Sequence, residues 1–313
     1  MLEHRAAQLT AFATFLLLVI GGTVNPTGSS LACPEPTFVC NGQLFPPLVG
    51  GVFYEHGHRL AAMTVGLSQV ILTILLFRRR PGLRRLGALL LGLVLLQGGL
   101  GAITVAYKLP WFVSSGHLLL GMSYFATLIY TAFRTRPAAD AAALERHERL
   151  RTALGTARTW IAVGAAAVFL QLLLGALVRH HGAALVCLGV PECTISGEWL
   201  PATGVQQLHM LHRAFGVVVG VVTIVAAIQV LRRAGSWPAV RLLAGLAPLL
   251  VLAQIGLGIA TVMTMRSVPV AVGHFAGAAG LWALWMSLWL VTARRTRDVG
   301  STFEVGTPPI GLS

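Results

Sequence analysis

Eight apolar runs, each near the length of about 20 residues that crosses a bilayer as a helix, constrain this chain more than any other feature. They fall near residues 9–27, 57–77, 86–106, 112–133, 158–178, 208–231, 241–263 and 269–292. A closed β-barrel is the only other way to satisfy a backbone inside lipid, and these runs are too long and do not alternate. Of the 313 residues, 56% are hydrophobic and only 11% charged, which excludes an ordinary soluble domain. The sequence predicts an all-α integral membrane protein with eight transmembrane helices.

The net charge of +13 invites a nucleic-acid reading, and its placement argues against one. Arg78, Arg79, Arg80, Arg84 and Arg85 lie between the second and third runs, and Arg134, Arg136, Arg146, Arg149, Arg151 and Arg158 between the fourth and fifth. Arg232, Arg233 and Arg241 follow the sixth, Arg294, Arg295 and Arg297 follow the eighth, and Arg5 precedes the first. That places 18 of 23 basic residues on one side. The positive-inside bias then predicts cytoplasmic N and C termini and reports topology, with no nucleic-acid partner.

The runs form a tandem repeat. Glu55-His56-Gly57-His58-Arg59, shifted by 154 residues, falls on His209-Met210-Leu211-His212-Arg213. Cys33 falls on Cys187 and Gly28 on Gly182. Further on the offset becomes 157, where Gln97-Gly98-Gly99-Leu100-Gly101 matches Gln254-Ile255-Gly256-Leu257-Gly258 and His117 matches His274. Two pseudo-symmetric four-helix bundles are expected: residues 1–135, a charged cytoplasmic linker 136–157, residues 158–296, and a tail 297–313. No cleavable signal is evident, and the first run reads as a retained helix.

Ionisable residues inside a membrane are costly and mark function. The second and fourth runs both descend from the outer side, so His58 and His117 lie at similar depth and can face one another. His212 and His274 repeat the arrangement. Paired neutral imidazoles suit the axial positions of a heme iron, and the nearby glycines suit a flat macrocycle. Zinc would call for further Cys, His or carboxylate ligands at tetrahedral spacing. Glu55, one helical turn before His58, is a candidate acid–base or proton-binding group, or an anion favourable to a helix start. Its replacement by His209 in the second half suggests that the first half is catalytic and the second transfers electrons. Arg59 and Arg213 suit heme propionates or lipid headgroups. Gln97 and Gln254 suit a cofactor contact or a helix bridge, and His56 and His209 are expected behind the ligands. His180 and His181 read as interfacial loop residues, and His4 and His147 as ordinary cytoplasmic ones. The four cysteines lie on the outer side, and their close spacing argues for local Cys33–Cys40 and Cys187–Cys193 disulfides, either structural or, for one pair, redox-active.

Taken together, the Glu-x-x-His-Arg motif at residues 55–59, its His-x-x-His-Arg echo, His117, His274 and the paired outer cysteines resemble the heme A synthase family, in its cysteine-containing bacterial form. The resemblance spans roughly residues 9–292. It implies an oxidoreductase of the plasma membrane that converts the C8 methyl of heme O to a formyl group, giving heme A for terminal oxidases, with water as oxygen source. Carried over by position, His58 and His117 would hold heme O or heme A, and His212 and His274 a permanent heme b. Glu55 matches the essential carboxylate, Cys33 and Cys40 the pair discussed as reactive, and Cys187 and Cys193 the structural pair. The implied partners are heme O, membrane lipid, the farnesyl-transferring heme O synthase and terminal oxidase assembly, and a homo-oligomer stays open. The competing readings are a diheme b-type cytochrome that passes electrons from quinol without altering its hemes, and a heme transporter or chaperone.

Overall fold

The computed structural model describes residues 1–137, 141–199, 201–235 and 237–293. The expected tail 297–313, with Arg294, Arg295 and Arg297, lies outside the described residues. Among the described residues eight helices are long and apolar enough to cross a membrane, and there is no β-strand. They are α1 (Leu2–Val24), α2 (Gly50–Arg79), α3 (Arg84–Ala106), α4 (Trp111–Arg134), α6 (Ala157–His180), α7 (Gly204–Arg233), α8 (Pro238–Met263) and α9 (Val268–Thr292). Leu67, Ile71, Leu95, Leu249 and Leu252 point outward from them. Apolar faces of this kind suit lipid and would be a liability in water.

The sequence expectation places the start of the second and sixth runs too late. α2 begins at Gly50 and α7 at Gly204, so each histidine motif sits inside its helix rather than at its mouth. The extra turns come from polar or small residues that hydropathy does not count. Gly50, at φ +53, provides the left-handed turn by which the preceding loop enters α2. The 136–157 segment holds a further helix, α5 (Ala141–Leu154). It buries His147, Leu150 and Leu154, a period of three to four residues. His147 Nε2 pairs with Ala293 O at 2.6 Å and His4 Nδ1 with Thr135 Oγ1 at 3.4 Å, so these two histidines tie helices together rather than facing open water.

The two halves repeat the same packing. α1 packs on α2 and α4, and α3 on α2 and α4; in the second half α6 packs on α7 and α9, and α8 on α7 and α9. The halves meet through α1 with α9, α4 with α6, and α4 with α9. Exchange of α1 with α6 and α4 with α9 leaves that set unchanged, as a pseudo-twofold requires. Even the tight turns agree, with Lys108 and Leu109 left-handed in one half and Met265 and Arg266 in the other, at the 157-residue offset.

One chain of buried polar groups in the first bundle is fully paired, as a lipid environment favours. Tyr124 Oη donates to Gln69 Oε1 at 2.7 Å, Gln69 Nε2 donates to Thr73 Oγ1 at 3.0 Å, and Thr73 Oγ1 donates to Gly87 O at 3.3 Å. Where the halves meet, Trp282 Nε1 donates to Met122 O at 3.1 Å, and the Trp285 ring lies directly over Gly164. Those bonds and ring contacts hold α4, α6 and α9 close.

Candidate functional site

Each of the four motif histidines lies on a glycine. An added Cβ at Gly21 of α1 would stand 2.7 Å from His58 Cε1, and one at Gly175 of α6 would stand 3.2 Å from His212 Cε1. A Cβ at Gly101 of α3 would stand 3.2 Å from His117 Cε1, and one at Gly258 of α8 would stand 3.3 Å from His274 Cε1. These pairs obey the 154- and 157-residue offsets. Glycine permits the ring to lie flat against the neighbouring helix backbone, which orients the imidazole across the bundle.

The Nδ1 atoms of His58, His117, His212 and His274 are buried without a hydrogen-bond partner. His58 and His117 are within electrostatic reach of one another, as are His212 and His274. Glutamines fix the surrounding backbone. Gln97 Nε2 donates to His117 O at 2.9 Å, and Gln171 Nε2 donates to His212 O at 3.0 Å. A free ring nitrogen inside an apolar bundle costs about 1–3 kcal/mol when nothing completes it. Four such rings at repeat-related positions, each over a glycine cradle, fit a flat macrocycle carrying a metal. They fit zinc less well. Among the described residues the cluster with three metal-ligating side chains is Cys33, Cys40 and His56, and its sulfurs are bridged.

The cysteine loops cap the same end of the bundles. Cys33 bridges Cys40 and Cys187 bridges Cys193. Glu55 is 4% exposed and spans two groups: its Oε2 accepts from Cys33 N at 2.9 Å and its Oε1 from Arg59 Nη2 at 2.6 Å. His56 is buried against the bridge with both ring nitrogens unpartnered. Glu35 in this loop accepts from Asn41 N at 3.0 Å and Gly42 N at 2.9 Å. Its carboxyl is held below the ordinary value, first by its own backbone amide and then by those of Asn41 and Gly42, with Arg59 adding to the effect.

Arg59 and Arg213, read from the sequence as candidates for heme propionates or lipid headgroups, donate to the cysteine loops in this structure. Arg59 donates through Nη1 to Glu35 O at 2.7 Å, Thr37 O at 2.6 Å and Val39 O at 3.0 Å, and through Nη2 to Cys33 O at 2.7 Å and to Glu55. Arg213 donates to Gly189 O at 2.7 Å, Glu192 O at 2.9 Å and Cys187 O at 2.7 Å. A guanidinium has a fixed fork of donors, and loop carbonyls take them here. His180 departs from expectation, and His181 follows α6 as an exposed residue. His180 ends α6 and pairs through Nδ1 with Ser115 Oγ at 3.1 Å, and the His181 ring lies 4.4 Å from Trp111. Both link α6 to the first half. Gly21, Gly175 and Gln171 were not singled out by motif, because contacts between helices leave no local pattern.

Fold and site define a class: a polytopic α-helical membrane protein of two repeat-related bundles, each carrying a buried histidine pair beneath a disulfide-closed loop. Residues 49–286 match the COX15-CtaA family model, described as cytochrome oxidase assembly protein. The chain belongs to that family. It is 25% identical over 295 residues to a heme A synthase of Bacillus licheniformis, covering 93% of this chain and 96% of the relative. It is 31% identical to a heme A synthase of Symbiobacterium thermophilum, covering 68% and 72%. A heme A synthase of Caulobacter sp. strain K31 is 33% identical, covering 80% and 76%.

Proposed function

We infer that this protein is an oxidoreductase that converts heme O to heme A in the plasma membrane, with its cysteine loops toward the outer side and its basic loops in the cytoplasm. The carrying observation is the asymmetry within a symmetric frame. Both halves present a glycine-backed histidine pair, and only the first adds Glu55, next to the bridged cysteines. Substrate heme O is held between His58 and His117 in the first half, and heme b between His212 and His274 in the second. The bound heme b supplies one-electron redox chemistry. Conversion of a methyl and one water to a formyl group releases four protons and four electrons, the electrons leaving one at a time through the second half to an external electron acceptor. The water as oxygen source is part of this proposal.

Within that reaction the chain positions and shields. The glycine cradles fix the histidine planes, so the substrate macrocycle is held in one orientation. Glu55 is the buried carboxylate nearest the catalytic half's loop, able to take up protons at Oε1 or Oε2 when its bonds to Arg59 and Cys33 N loosen. Arg59 holds the 33–40 loop over that end of the bundle and limits water there. Heme O synthase upstream and terminal oxidase assembly downstream complete the proposed setting.

Glu55→Gln keeps the side chain's size and removes its charge, so it tests the role directly. Co-expressed with heme O synthase, the variant retains the second-half heme and loses heme A formation by at least about 100-fold, as expected for removal of a proton-transferring group. Wild-type rates with heme b intact would remove Glu55 from the mechanism. The reading of a diheme b-type cytochrome predicts instead no heme A from either wild type or variant, with two unmodified hemes per chain.

A further inference from the structure

The seam between the two halves holds an arginine with no counter-ion among the described residues. Arg179 lies one residue before the end of α6. Its Nε is buried and without a partner, and its Nη2 makes one long bond, 3.4 Å, to Gly22 O on α1. Its Cζ lies 5.4 Å from the centre of the Phe275 ring. Among the described residues no carboxylate is ion-paired with it. Two acids of the outer end of the first half are committed elsewhere, Glu35 of the loop to two backbone amides and Glu55 of α2 to Arg59 and Cys33 N.

The groups Arg179 touches adjoin both histidine pairs. Gly22 follows Gly21, on which the His58 ring lies, and a Cβ on Gly22 would stand 2.7 Å from Phe275, the residue after His274. The charge of Arg179 reaches His58 itself. A second cation enters the seam from the α8–α9 turn: Arg266 Nη1 is 3.5 Å from Asn25 Oδ1, and its charge reaches Arg179. Two interacting positive charges, one with a buried and unpartnered nitrogen, are costly in an apolar bundle unless an anion joins them. The terminal donors of Arg59 go to loop carbonyls and Glu55, and those of Arg213 to loop carbonyls, whereas Arg179 keeps a buried donor free.

We propose that Arg179, with Arg266, forms a carboxylate-binding site in the seam between the two bundles, which receives heme propionates. This rests on the heme reading above. A planar guanidinium with unpaired donors suits bidentate carboxylate recognition, and the position ties heme binding to the junction of the halves.

The test uses the full chain purified without heme from a heme-deficient host. It is titrated in detergent with iron protoporphyrin IX and, separately, with the neutral dimethyl ester of the same heme, followed by the Soret band. The wild type prefers the diacid by on the order of tenfold or more, as charged hydrogen bonds would give. R179Q brings that preference toward unity while both forms still bind; R266Q reduces it partly, and R179K retains more of it than R179Q. The R266Q and R179K variants carry the test should R179Q not fold. A wild-type preference persisting in R179Q overturns the assignment, as does equal binding of both forms by the wild type, the result expected if a lipid headgroup fills the seam. Failure of the wild type to bind either form would sink the heme reading itself, and the site with it.

Discussion

The glycine cradles make a graded prediction. A Cβ in ordinary contact with a ring carbon stands at 3.4–4 Å, so Gly21→Ala, at 2.7 Å from His58 Cε1, forces the ring or α1 to move by roughly 1 Å. Overpacking of this kind costs about 1–3 kcal/mol. Alanine returns about 1 kcal/mol of helix propensity, leaving a net destabilisation of about 0–2 kcal/mol and a displaced imidazole. At Gly258 the contact with His274 is 3.3 Å, a correction of a few tenths of an ångström, so propensity and crowding nearly cancel. Gly98 and Gly99 meet nothing within 4 Å, and alanine there should be neutral or stabilising by up to about 1 kcal/mol. The assay is heme content and low-spin absorption of each purified variant, with thermal melting beside it. Gly21→Ala should weaken the first site by at least about tenfold and leave the second site's spectrum within error. Equal loss at both sites, or a greater loss in Gly98→Ala than in Gly21→Ala, would refute the claim that the cradle sets the ring.

Three further outcomes follow from the same contacts. Cys187→Ser opens a bridge of sequence separation 6 and should lower stability by roughly 2–3 kcal/mol, read as an earlier melt with the second-half heme retained at low temperature. His212→Ala should remove the second heme and leave heme O binding in the first half measurable by extraction. The Glu35 carboxyl has a folded value below its ordinary one. The loop stability it contributes is therefore complete above the ordinary carboxylate value of about 4 and is lost as pH falls through the lower folded value. Amide protection factors at Asn41 and Gly42, with the intrinsic pH dependence of exchange divided out, should be unchanged from pH 8 to about 5 and fall only below about 4; a fall between pH 7 and 6 would contradict that assignment.

Hydropathy alone made the eight spans legible, because lipid solvates whole helices and the signal is an average over many residues. The repeat offsets located the four histidines, since equivalent positions reinforce one another. Helix starts were less legible. The first turns of α2 and α7 carry Gly50, Gly51, Gly204 and Gln206, which hydropathy reads as loop. The destination of Arg59 could not be read from its place in the motif, because it depends on how the 33–40 loop folds back over α2. Gly21 and Arg179 are similar cases: each gains its meaning from a helix distant in sequence, α2 for one and α1 with α9 for the other. The helix α5 carried its signal openly in His147, Leu150 and Leu154, hidden only by the surrounding charges.

The most direct measurement is the identity of the hemes extracted from the purified protein after co-expression with heme O synthase, by chromatography with mass detection. Heme A or its hydroxylated precursor together with heme B, the former absent from the Glu55→Gln variant, is the predicted result. Heme B alone at two per chain, unchanged by that substitution, would contradict the account and leave an electron-transfer cytochrome.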